Sequence, residues 1–155
     1  MHARQGRVVI GWREYVSFPE WGVKRIEAKI DTGARTSAIH VEDVKRIRGN
    51  RVQFHLVVSR RRPFKHVLIK SPLVRMSRVR SSTGHVQERF VVATEVSIGR
   101  VLKRIEMSLV GRDRMLCRML LGRSALSDFL IHSGRKYVLA RDRGGGQEDA
   151  GHDRP

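Results

Sequence analysis

The chain has 155 residues, 40% of them hydrophobic and 6% aromatic, enough for one domain with its own core, and no apolar run approaches the length that spans a bilayer. Its 32 Lys and Arg against 15 Asp and Glu give a formal charge of +17, which disfavours cationic partners and points to anionic ones. Cys117 is the only cysteine, which excludes an intrachain disulfide and predicts a reducing, cytoplasmic setting.

Met1 to Arg7 lead into a short apolar stretch with no small-residue cleavage site, so no signal peptide is expected. Val8–Ile10 is a β-branched run, and Glu14–Phe18 alternates until Pro19 ends it. Residues 1–22 are therefore read as N-terminal strands ahead of a main domain at 23–140. Ile26–Ile30 alternates, with Ile26, Ala28 and Ile30 on one face, and runs straight into the loop-forming Asp31-Thr32-Gly33. Val41–Arg48 predicts a helical turn or two, with Glu42 and Asp43 near its start. Val52–Val58 and Val67–Ile69 read as strands around the basic turn Ser59-Arg60-Arg61-Arg62-Pro63. Val79–Arg80 and Val86–Ile98 flank Ser81-Ser82-Thr83-Gly84 as a hairpin with a long return strand. Gly99-Arg100 is a turn and Ile105–Val110 another alternating strand. Met119–Leu121 is a buried run ending at Gly122, Ser124–Leu130 predicts a short helix, and Tyr137–Leu139 a closing strand. The Gly-rich segment 141–155 reads as a disordered tail. Many short strands with one or two short helices predict an all-β barrel.

Charge is unevenly placed. The tail carries Arg141, Arg143 and Arg154 against Asp142, Glu148, Asp149 and Asp153, so the excess lies in the rest of the chain. Between Val44 and Gln87 there is no acid and there are twelve Lys and Arg. Nucleic acid, an acidic peptide or an anionic membrane surface would each match such a field.

The segment Ala28-Lys29-Ile30-Asp31-Thr32-Gly33-Ala34-Arg35-Thr36-Ser37-Ala38-Ile39-His40 carries the chemistry. An apolar strand delivers one carboxylate to a tight turn, and Gly33 lets backbone amides approach it. A lone Asp-Thr-Gly is also an ordinary turn. Two further features accompany it: the hairpin around residues 81–84, and Arg118-Met119-Leu120-Leu121-Gly122-Arg123 ahead of a predicted short helix. In this order the three parts resemble retropepsins, over Val23 to Leu130, and the two quoted segments are similar to a bacterial family commonly labelled ATP-dependent zinc proteases. The resemblance implies an acid-protease barrel that forms half of a two-fold dimer, and an aspartic endopeptidase. It also implies a functional link to ATP-grasp ligases that add glutamates to proteins.

On that resemblance Asp31, Thr32 and Gly33 are the catalytic candidates. Asp31 from each of two copies would share a proton and activate a water. Thr32 would lock the paired loops and Gly33 orient the carboxylate. Leu120, Leu121 and Gly122 would support the loop from behind. Ala34, Arg35, Ser82, Thr83 and Gly84 are the substrate-binding candidates, the last three as a closing flap. Retropepsins carry an acid soon after this loop; here Arg35 and Thr36 follow, so Arg123 is without its expected partner. Arg35 favours an acidic or glutamate-bearing substrate, or else is solvated or paired with Glu42 or Asp43. No His-Glu-x-x-His or cysteine pair for zinc and no Gly-rich loop ending in Gly-Lys-Ser/Thr occurs, so no cofactor is expected. His40 reads as a hydrogen-bonded structural histidine, Cys117 as core, and Trp12 and Trp21 as packing residues. The competing reading is a non-catalytic basic module that holds RNA or an acidic protein, although few aromatics are available to stack bases.

Overall fold

The computed structural model describes residues 6–59, 65–80, 83–111 and 117–142. Residues 60–64, where a basic turn is expected, Ser81, Ser82 and residues 143–155 lie outside them; the tail expected from 141 is corrected at its start, since Arg141 and Asp142 belong to the last helix. Eleven strands follow in chain order: β1 (Val8–Gly11), β2 (Arg13–Phe18), β3 (Val23–Ile30), β4 (Ser37–Ile47), β5 (Arg51–Val57), β6 (His66–Pro72), β7 (Arg75–Arg80), β8 (Val86–Ile98), β9 (Val101–Gly111), β10 (Met119–Leu121) and β11 (Phe129–His132). One short helix, α1 (Val138–Asp142), ends the described chain. The fold is all-β, as the alternating patterns predict.

Six strands close on themselves. The order β10-β3-β2-β8-β9-β4 returns to its start, because β10 also pairs with β4. β5 and β6 extend β4 outward, and β7 folds onto β8 as a hairpin. Inward-facing residues of every strand in the ring meet in one core, including Phe18, Ile26, Ile39, Val92, Met107 and Leu121. Trp21 packs between Phe18, at 5.1 Å between ring centroids, and Phe54, at 5.6 Å. Each fully buried Phe, Ile, Leu, Val or Met of this core contributes about 1.5–3 kcal/mol on burial. β1 stands apart, pairing in parallel with β11, from Val8 opposite Phe129 to Gly11 opposite His132.

Three local expectations are corrected. Val41–Arg48 is not helical: β4 continues to Ile47 between β9 and β5. A bulge between Glu42 and Lys45, with Asp43 at φ 54°, breaks the alternation that would have marked it as a strand. Ser124–Leu130 is not a helix either. A single 3-10 turn at Arg123–Ala125 gives way to β11, which β1 recruits by backbone pairing. Tyr137–Leu139 is not a strand; α1 begins at Val138, because the amides of Val138 and Leu139 both donate to the buried Glu14 carboxylate, at 3.1 and 3.3 Å. The same carboxylate accepts from Gly11 N at 2.7 Å, so one side chain fastens both ends of the described chain to β2.

Candidate active site

β3 carries Asp31 to the rim of the barrel. Ala28 and Ile30 are buried, and the last two amides are taken up on opposite sides: Ile30 N donates to Trp12 O at 2.9 Å, and Asp31 N to Leu121 O at 2.9 Å. β10 lies between β3 and β4, parallel to the first (Leu121 opposite Ile30) and antiparallel to the second (Leu120 opposite Ala38). The loop 31–36 that joins β3 to β4 must therefore pass around the end of β10.

Gly122 stands where that loop crosses. A Cβ there would sit 2.5 Å from Thr36 O and 3.0 Å from Ala34 O, both backbone atoms, so no larger residue fits without moving the loop. The crossing is then tied down. Gly122 N donates to Ser37 Oγ at 3.1 Å, Arg123 N to Ala34 O at 2.8 Å and Ser124 N to Arg35 O at 3.0 Å. Arg123 Nη1 donates to Thr32 O at 3.0 Å. The arginine without its retropepsin-style acid has found a carbonyl of the loop instead.

The Asp31 carboxylate is half-buried and accepts from Gly33 N at 3.0 Å through Oδ1. Thr32, Gly33 and Arg35 are exposed around it, and Ala34 is half-buried. A carboxylate held by a backbone amide, on a loop fixed at three carbonyls, is suited to proton transfer at a fixed point. Residues 9–142 match the RimB-like family, described as retropepsin-like aspartic endopeptidase RimB. The chain belongs to this family. Among curated proteins, a probable alpha-L-glutamate ligase of Shewanella halifaxensis is 32% identical over 141 residues, 87% of this chain and 30% of the relative. One of Desulfotalea psychrophila is 35% identical over 126 residues, 79% of this chain and 27% of the relative. The chain thus spans less than a third of the length of the curated relatives it matches. A solved structure of the Legionella pneumophila protein Lpg0085, of unknown function, shares the fold: TM-score 0.69 at 20% identity, covering 85% of this chain and 98% of that one.

In this RimB-like chain a cavity of about 560 Å³ adjoins the loop. Arg35 and Thr36 line it from the loop, Arg75 and Ser77 from β7, Arg104 and Glu106 from β9. Thr83 and Gly84 sit exposed at the far end of the β7–β8 hairpin and do not line this cavity, while Ser82 lies outside the described residues. The base of the hairpin, not its tip, faces the loop. Arg75 and Ser77, two apart and therefore on one face of β7, were missed because only Val79–Arg80 carried a strand signal.

Charge in the cavity is partly spent. Arg75 pairs with Glu106, and Arg104 with Glu20 at 3.2 Å. Arg35 makes no ion pair among the described residues; Glu42 and Asp43 face His66 and His55 instead, each at 3.4 Å. His40 accepts from Arg118 Nη1 at 2.8 Å through Nδ1, in line with the structural role expected of it. Cys117 is buried. No group of three or more His, Cys, Asp or Glu among the described residues is placed to hold a metal ion, and no helix among them is long and apolar enough to cross a membrane.

Proposed function

We propose that this chain is an aspartic endopeptidase whose active site forms from two copies of Asp31 in a symmetric dimer. The supporting observation is the Asp31 loop itself: a rim carboxylate, held by Gly33 N and braced through Leu121, Arg123 and Ser124. One chain supplies one such carboxylate, and a two-fold axis beside the exposed Thr32 brings in the second. The two carboxylates share a proton. The ionised one takes a proton from a water between them as that water attacks the scissile carbonyl carbon. The protonated one gives its proton to the carbonyl oxygen. Collapse of the tetrahedral species breaks the C–N bond, and the amine leaves with the proton first taken from water.

The substrate in this proposal is an acidic or glutamate-bearing protein segment. Arg35 is exposed at the cavity edge without an ion pair among the described residues, and its fork can grip one carboxylate at two points. The relatives named as probable alpha-L-glutamate ligases support the same direction: hydrolysis at glutamate-bearing segments is the natural counterpart of a glutamate ligase, and such a ligase is the partner proposed. Ligase activity is not proposed for this chain, which matches under a third of their length. The lone cysteine fits a reducing, cytoplasmic setting.

Cleavage of a glutamate-rich peptide by wild type, Asp31→Asn and Asp31→Ala tests the assignment. Loss of activity in both folded variants is expected, together with a fall in activity per chain on dilution below the dimer dissociation constant. Equal cleavage by folded Asp31→Ala, or full activity of a monomer at every concentration, refutes it.

A further inference from the structure

Strand pairing also gathers aromatic and basic side chains that do not line the cavity beside the Asp31 loop. The rings of Tyr15 on β2 and Tyr137 stack at 4.7 Å between centroids with 13° between planes. The Arg25 guanidinium, from β3, lies 3.7 Å over Tyr15. Beside this column Trp12 has the Arg13 guanidinium at 5.0 Å and the Lys136 ammonium at 4.9 Å from its centroid. Glu27 ties the two groups together: Arg13 donates to it at 3.1 Å and the Tyr137 hydroxyl at 2.8 Å. Three of the four Trp and Tyr residues of the chain are thus brought together.

Two properties distinguish this face from a solvated charge patch. Arg25 is exposed and makes no ion pair among the described residues, yet its guanidinium carbon already lies at stacking distance, 3.7 Å, over the Tyr15 ring. A guanidinium held in that way presents a planar surface without the entropy cost of ordering it. Nucleobases stack on such planes. Next to the column is a cavity of about 340 Å³, lined in part by Tyr15, Lys24 and Arg25, and by Ser17 and Ser97, which are paired across β2 and β8. Ser97 Oγ donates to Gly99 O at 3.3 Å, which leaves its lone pairs free to accept from a ribose 2′-hydroxyl.

We infer that this face binds single-stranded RNA, with a base stacked on the Arg25–Tyr15–Tyr137 column and its ribose directed to Ser17 and Ser97, while Lys24 meets phosphate. An acidic polypeptide fits less well. A carboxylate takes the edge of a guanidinium rather than its plane, and it gains nothing from the tyrosines beneath. The inference does not depend on peptidase activity.

Fluorescence anisotropy with the full chain and a labelled oligouridylate of about ten nucleotides tests it, within the usual site size for a single strand. Arg25→Ala is expected to weaken binding about tenfold, the loss of one stacking partner. Arg25→Lys keeps the charge but not the plane, and is expected to weaken it nearly as much. The deoxy oligomer of matching sequence is expected to bind several-fold more weakly, and Ser97→Ala to narrow that gap. Circular dichroism melting checks that each variant is folded. Absence of RNA binding at low salt, unchanged affinity in Arg25→Ala, full recovery in Arg25→Lys, or equal affinity for RNA and DNA each overturns the inference. A polyglutamate peptide that binds wild type and is lost by Arg25→Ala would assign the face to an acidic protein instead.

Discussion

Gly122→Ala tests the crossing of chains on which the Asp31 loop depends. The new methyl group would lie 2.5 Å from Thr36 O, 2.7 Å from Thr36 C and 3.0 Å from Ala34 O, where ordinary contact begins near 3.4 Å. All three are backbone atoms, so no side-chain rotation relieves the clash; the loop must move away from β10 by close to an ångström. That movement strains the bonds from Arg123 N to Ala34 O, Ser124 N to Arg35 O and Gly122 N to Ser37 Oγ. Overpacking costs about 1–3 kcal/mol, and each hydrogen bond lost about 0.5–1.5 kcal/mol. A destabilisation of about 2–5 kcal/mol follows, read as a lower urea midpoint with an unchanged slope. Displacement of a catalytic group by about 1 Å costs on the order of a hundredfold in rate. Peptide cleavage under conditions where the variant is still folded is therefore expected to fall by about that factor. Wild-type stability together with wild-type cleavage would show that the loop does not rest on Gly122.

Other expectations are more local. Glu14→Ala leaves three amide donors, those of Gly11, Val138 and Leu139, without their buried acceptor, and is expected to cost about 3 kcal/mol or more in chemical denaturation; a loss under 1 kcal/mol would deny Glu14 its fastening role. Burial and the bond to Glu27 push the Tyr137 phenol well above its usual range, so the fold holds the neutral form while the unfolded chain ionises near pH 10. The resulting stability is complete below that pH and is lost as pH rises further, and Tyr137→Phe is expected to flatten this alkaline limb of the stability profile; an identical limb in the variant would place the titration elsewhere. Arg35→Ala is expected to slow cleavage of acidic peptides more than of neutral ones, and added salt to narrow the remaining gap as screening shortens to about 10 Å near 0.1 M. Equal losses for both peptides would make Arg35 a structural residue.

The elements were legible where the chain repeats a simple period. β2 and the Ile26–Ile30 part of β3 alternate cleanly because one side of each faces the core and the other faces solvent or a polar neighbour. β10 showed as a short apolar run because Met119 and Leu121 are fully buried in the core and Leu120 between them is half-buried. Where a tertiary contact overrules local pattern, the reading failed. β4 hides behind its bulge, β11 exists because β1 pairs with it, and α1 starts where Glu14, over a hundred residues earlier, accepts its first amides.

The sequence alone determined the class of the fold, the identity of Asp31-Thr32-Gly33-Ala34 as the candidate loop, and the excess of positive charge, since each depends only on residue type and short-range order. Only the tertiary structure decided what surrounds that loop. It gave Arg123 to the carbonyl of Thr32, and it put Arg75 and Ser77, rather than Thr83 and Gly84, in the cavity beside Arg35. It also gathered Trp12, Tyr15 and Tyr137 on one face. The physical reason is the same in each case: these contacts join residues far apart in the chain, and their geometry is set by strand register around a closed barrel, which no local pattern encodes.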